Sequence, residues 1–140
     1  MQNSYSANPQ EAYRRQNILT ASPAELIIML YDGLLKDVRL AIRAIGKNNA
    51  EATHRHLMKA QAIVAELINC LDLSFSIASD LMNLYDFLLH TLAEANAAKD
   101  AAMLEPLLGI IETLRDTWRE AADLDKTAGH EAQMPQENLG

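Results

Sequence analysis

Cysteine is nearly absent from this 140-residue chain: Cys70 stands alone, so no internal disulfide can form, and the reducing cytosol is the compartment expected for it. Glycine and proline are scarce, at 5 and 4, which removes the punctuation that turn-rich β folds require. Valine occurs only at positions 38 and 64, and the aliphatic positions are otherwise filled by Ala, Leu and Ile, a choice that favours helix. Basic residues are in deficit, 12 against 19 acidic, and the resulting charge of −7 argues against a phosphate-neutralising surface, so no nucleic acid partner is expected. Long apolar runs are missing too. The longest, Leu26 to Tyr31, falls far short of the about 20 residues of a membrane span, so no membrane insertion is expected. Met1 to Gln10 is polar and lacks the apolar stretch of a secretory signal. What is present is 49% hydrophobic residues in a length that suits one domain, which predicts a single soluble cytosolic unit with a real core.

The pattern along the chain divides it into an arm at 1–21, a helical domain at 22–124 and a tail at 125–140. Ser22 and Glu25 form a capping box around Pro23, and Ile27, Tyr31, Leu34, Val38, Ala41 and Ile45 make the inner stripe of a first helix that stops at Gly46. Asn48 and Glu51 repeat the cap chemistry for a second helix, with Leu57, Ala60, Val64, Leu67 and Leu71 facing inward. After a turn at 72–76, a third helix carries Ile77, Leu81, Leu84, Leu88, Leu92 and Ala95. Asp100 caps a fourth, whose inner face is Leu104, Leu107, Ile111, Leu114, Trp118 and Ala121; Pro106 requires this helix to begin late or to kink. Short connections between helices of similar length force neighbours to run in opposite directions. The expected fold is all-α, an antiparallel up-down four-helix bundle with an N-terminal arm and, beyond 124, where no stripe continues, a disordered C-terminal tail.

Catalytic and metal chemistry finds little support. Glu51 and His54 have the three-residue spacing of half a di-iron site, but His56, His90 and His130 have no Glu three residues earlier, so neither metal nor cofactor is expected. Cys70 lacks a local His or Asp partner and reads as a buried inert thiol. His56, with Lys59 nearby, permits an alternative reading as a histidine phosphotransfer bundle, against an ordinary histidine at the edge of the core. The stronger feature is surplus apolar surface. Beside the inner stripe of the third helix runs a second at Ala78, Met82, Tyr85, Leu89 and Ala93, which either faces another helix of the bundle, forms a homodimer interface, or makes a groove for an incoming amphipathic helix. Fully burying Met82, Tyr85 and Leu89 gains about 5 to 9 kcal/mol in total, barely above the about 2 to 5 kcal/mol that ordering a disordered client costs. A client is therefore expected to reach further, to Ile28, Leu35 and Ile42 on the first helix or Met58 and Ile68 on the second.

Four stretches together resemble one family. Tyr13, Ile18-Leu19-Thr20-Ala21-Ser22-Pro23, Leu26 and Met29-Leu30-Tyr31-Asp32-Gly33 resemble the opening signature of the FliS-type flagellar secretion chaperones. Lys59-Ala60-Gln61 with Ile63 and Glu66-Leu67, Leu84-Tyr85-Asp86 with Leu92 and Glu94-Ala95-Asn96, and Arg115-Asp116 with Trp118 agree in order and spacing, so the likeness spans residues 9–122. The resemblance implies a cytosolic export chaperone, not an enzyme. It would bind the C-terminal helical segment of flagellin, prevent premature polymerisation and deliver it to the flagellar export apparatus, with other flagellar regulators as further partners. It also implies that the arm folds over the client groove, giving Tyr13 and Ile18 a self-capping role. The chain departs from the family at Gln10, often Tyr there, and at Pro106.

Overall fold

The structure, a computed structural model, describes residues 23–139, with side chains from 23 to 124. Four helices follow one another: α1 Pro23–Gly46, α2 Ala50–Asn69, α3 Ala78–Ala98 and α4 Glu105–Leu139, with a short 3-10 turn at Ala101–Met103. The expected cap Ser22 and the arm residues Tyr13 and Ile18 lie outside the described residues.

The helix ends follow local chemistry, with shifts of a residue or so. Gly46 remains helical, and the left-handed position falls instead to Asn48, at φ 55°. Asn48 N–H donates to Ile45 O at 3.0 Å and Asn49 N–H to Ala44 O at 2.9 Å, which satisfies the last carbonyls of α1. Asn tolerates this conformation because its short polar side chain bonds locally. The cap of α2 is then Asn49, not Asn48: its side-chain oxygen accepts from Ala52 N–H at 3.0 Å. Asp100 caps the 3-10 turn, accepting from Ala102 N–H at 3.0 Å. Beginning α4 at Glu105 places Pro106 in the first turn, where its missing N–H costs nothing, so the late start is realised. The backbone of α4 continues helical past Asp125 to Leu139.

Cross-helix pairs fix the directions. Arg39 Nη2 meets Glu112 Oε2 at 2.7 Å, while earlier on α1 Asp32 faces Arg115 and Arg119, both at 3.4 Å, so α1 and α4 are antiparallel. Asp37 Oδ1 lies 3.3 Å from His56 Nδ1, and a Cβ placed on Gly33 would touch Ile63, which gives the same relation between α1 and α2. At one end of α2, Asn96 of α3 donates its amide to His54 Nδ1 at 2.9 Å; at the other, Leu67 and Cys70 share a cavity with Tyr85 and Ala78. Alternation therefore continues through α3.

The helices are not equally placed. α1 packs on both α2 and α4, α2 packs on α1 and α3, and α3 and α4 scarcely touch. This order explains the burial. Lying between α2 and α4, α1 needs two inward faces and buries Leu35 and Ala44 in addition to Tyr31, Leu34, Val38 and Ala41. α3, with essentially one neighbour, buries a single arc that starts on the second predicted stripe, at Ala78 and Tyr85, and crosses to the first at Leu88, Leu92 and Ala95. Ile77, expected inside, is 60% exposed. Leu104, Leu107 and Ile111 of α4 complete the core, and past Trp118 the helix runs out of it, leaving Ala121 exposed.

Gly109 sits on the exposed side of α4 with nothing within 4 Å of where a Cβ would be, and no glycine of the described chain has positive φ. Gly109→Ala is expected to stabilise the protein by about 1 kcal/mol, because it removes backbone freedom from the unfolded chain at no steric cost. A thermal melt checks this; the midpoint should rise by a few degrees.

Candidate functional site

Because α3 and α4 scarcely touch, the bundle is open at the end where α1 starts and α2 finishes. There lies an apolar cavity of about 500 Å³. Leu26 and Ile27 of α1, Leu67 and Leu71 of α2, Ala78, Leu81 and Tyr85 of α3 and Trp118 of α4 line it. The α2–α3 connection is its lip, contributing Phe75 and Ile77, which are 64% and 60% exposed. Leu73 beside them is 74% exposed. An exposed apolar cluster next to an apolar cavity costs solubility in a free protein and so marks an interaction site.

Polar groups at the cavity are few and specifically held. Asp72 accepts from Ser74 N–H at 3.0 Å and from Ser74 Oγ at 2.6 Å, a local turn that shapes the lip. The Ser74 hydroxyl, then its backbone N–H, hold the Asp72 carboxyl below the usual carboxylate range, so it is charged at neutral pH. Tyr85, 2% exposed, shares a hydrogen bond of 2.5 Å between hydroxyl oxygens with Tyr31, which is fully buried. Burial raises both phenols above their ordinary range. Cys70, expected buried, is exposed at the cavity edge; desolvation, then the nearby Glu66 charge, raise its thiol, which keeps it protonated and unreactive.

The residues expected to meet a client are scattered. Tyr85 lies in the cavity wall, but it and Leu35, 1% exposed, are core side chains rather than open surface. Leu35 is turned inward because α1 is sandwiched, and Tyr85 because its hydroxyl pairs with Tyr31. Ile42, Ile68 and Leu89 are half-buried and lean on the core, Ile28 and Met82 are half-buried, and Met58 is 48% exposed. Phe75, Ile77 and Trp118 were not expected at a site. A signal for the first two exists in Leu71, Leu73, Phe75 and Ile77, whose alternation makes the connection more apolar than a solvated turn needs. Its place on the inner stripe of α4 gives Trp118 a core role alone, since no sequence pattern shows that α3 and α4 stand apart.

The alternative use of His56 fails on geometry. A phosphate-accepting histidine must stand open to its donor, but the side chain of His56 is 16% exposed and its Nδ1 faces the Asp37 carboxylate. Among the described residues no cluster of His, Cys, Asp and Glu is arranged to hold a metal, and no helix is long and apolar enough to cross a membrane.

Residues 6–125 match the family model described as flagellar protein FliS. The chain is 35% identical over 123 residues to the flagellar secretion chaperone FliS of Bacillus subtilis, covering 88% of this chain and 92% of that protein. It is 30% identical over 130 residues to the protein of the same name from Campylobacter jejuni, covering 91% and 99%. To that of Salmonella typhimurium it is 27% identical over 123 residues, covering 83% and 91%.

Proposed function

This chain belongs to the FliS family of flagellar secretion chaperones, a family of chaperones and not of enzymes, and from that premise we propose which client it escorts and how. In this reading it binds the C-terminal helical segment of flagellin in the cytosol, keeps it from polymerising early and delivers it to the flagellar type III export apparatus. Supporting it above all is the open apolar end of the bundle, where Phe75 and Ile77 stand exposed beside an unfilled cavity. Flagellin segments that assemble by helix packing need an apolar seam while their filament partners are absent, and this end offers one.

A single cavity is too small to occupy a long segment. From the lip, the client continues along the half-buried and exposed apolar positions Met82 and Leu89 of α3 and Ile68 and Met58 of α2, and reaches α1 at Ile28 and Ile42. The arm is read as a self-made lid: residues 1–21 join the bundle next to Pro23, itself in the cavity wall, so Tyr13 and Ile18 are tethered within reach of it. Tethering gives the lid a high effective concentration, and a competing client must overcome it.

Co-expression with flagellin followed by size exclusion and mass determination tests the reading. A stable complex is the expected result; a dimer indifferent to flagellin points to the homodimer face instead. Deleting residues 1–18 is expected to raise flagellin affinity by the factor with which the lid occupies the site. A fall in affinity means that the arm contacts the client.

A further inference from the structure

Basic charge is not spread evenly over the bundle. Six of the nine lysines and arginines between residues 23 and 124 lie in the second half of α1 and the first half of α2: Lys36, Arg39, Arg43, Lys47, Arg55 and Lys59, all exposed. By contrast α3 contains no lysine or arginine and exposes Asp80, Asp86 and Glu94. Steps of three, four and four residues place Lys36, Arg39, Arg43 and Lys47 in one row along α1. Arg39 is engaged by Glu112 of α4 at 2.7 Å, whereas Lys36, Arg43 and Lys47 have no carboxylate partner among the described residues. Lys59 falls between His56 and Ile63, the α2 positions that meet α1 at Asp37 and Gly33; being exposed, it stands on the outer edge of that seam, one turn from Arg55. The cavity takes its lining from the opposite ends of these helices, residues 23–27 of α1 and 67–71 of α2. Charges are screened over about 8 Å at physiological ionic strength, and neighbouring helix axes stand about 8 to 10 Å apart. The carboxylates of α3, beyond α2, are therefore largely hidden from a partner approaching α1, which meets a positive face in spite of the net charge of −7.

We propose that this face is a second docking surface, which takes an acidic helix of a partner protein laid along α1 while the cavity at the other end holds the client. Two observations select that occupant. First, the row is one residue wide and, from Lys36 to Lys47, about 16 Å long, the rise of three helical turns. Carboxylates recurring every three or four residues on a second helix meet such a row in register, as charges along paired helices do. Second, the face lacks what a bilayer contact needs. Electrostatic adsorption holds a protein on a membrane only with a further apolar or lipid signal, and no large apolar side chain between Lys36 and Lys47 stands exposed. The surface is separate from the cavity, so the proposal holds whichever client the cavity carries.

A variant combining Lys36→Gln, Arg43→Gln and Lys47→Gln tests this, because all three side chains are exposed and their loss leaves the fold intact. The probe is a synthetic helical peptide with glutamate at every third or fourth position, titrated at low salt into isotope-labelled protein. Amide shifts are expected in the parent only within residues 36–47 and 55–59. The triple variant is expected to bind the peptide about tenfold more weakly, and a control with Lys99→Gln and Arg119→Gln within about twofold of the parent. All three proteins should bind flagellin alike. Shifts elsewhere, or equal peptide affinity in parent and triple variant, overturn the proposal. Vesicles of phosphatidylcholine and phosphatidylglycerol in equal parts that retain the parent but not the triple variant, with no peptide shifts, make the face a membrane contact and overturn it too. A low-salt dimer lost in the triple variant assigns the face to the α3 carboxylates of a second copy, and weaker flagellin binding by that variant assigns it to the client; either result overturns the proposal. If the parent does not bind flagellin at all, the client assignment fails, and the peptide titration still decides the face.

Discussion

Replacing Phe75 and Ile77 together by Asp is expected to abolish flagellin binding while leaving the helical circular dichroism of the free protein unchanged. Both side chains are mostly exposed, at 64% and 60%, so the bundle loses little by their removal. Both also form the lip of the cavity, where a docked client would cover them. Burying such a side chain gains about 1.5 to 3 kcal/mol, and losing two of them weakens binding by about 3 to 6 kcal/mol, more than a hundredfold. Two added carboxylates beside charged Asp72 deepen the loss, since they would have to be desolvated with no cation among the residues around the cavity. A variant that binds with the parent's affinity would remove the lip from the site. Met82→Asp and Leu89→Asp then decide whether α3's outer side carries the client alone.

The contrast between what was readable and what was not follows from which forces leave a local trace. Capping chemistry and 3.6-residue periodicity are local, and they located four helices, with the starts of α2 and α3 displaced by about a residue, Asn49 for Asn48 and Ala78 for Ile77, and that of α4 moved on to Glu105. The cores of α1, α2 and α4 were legible for the same reason, since Tyr31, Leu57 and Ile111 lie on stripes the spacing already draws. Which helix is central is a tertiary fact. The surplus apolar surface of α3 reads equally as two neighbours or one neighbour and a client, whereas the helices that have two neighbours are α1 and α2. Misassigning the centre moves Leu35 from core to surface. The cavity was illegible because its walls come from four helices and a connection, and only the apolar residues of that connection, Phe75 and Ile77, hinted at it.

Leu35→Ala gives this distinction a measurable consequence. A residue with 1% exposure in a close-packed core leaves a void when truncated, and such Leu→Ala changes cost about 2 to 5 kcal/mol. Total stability of a domain this size is about 5 to 15 kcal/mol, so a substantial part of it is at stake, and the melting midpoint is expected to drop by about 10 °C. Met58→Ala, at a site 48% exposed on α2, is the control and should stay within about 0.5 kcal/mol of the parent. Well below its own melting temperature, Leu35→Ala should bind flagellin with nearly the parent's affinity, because a side chain beneath the surface touches no client. If the variant instead keeps its midpoint and loses flagellin, Leu35 faces outward in solution, and the central position of α1 between α2 and α4 is wrong.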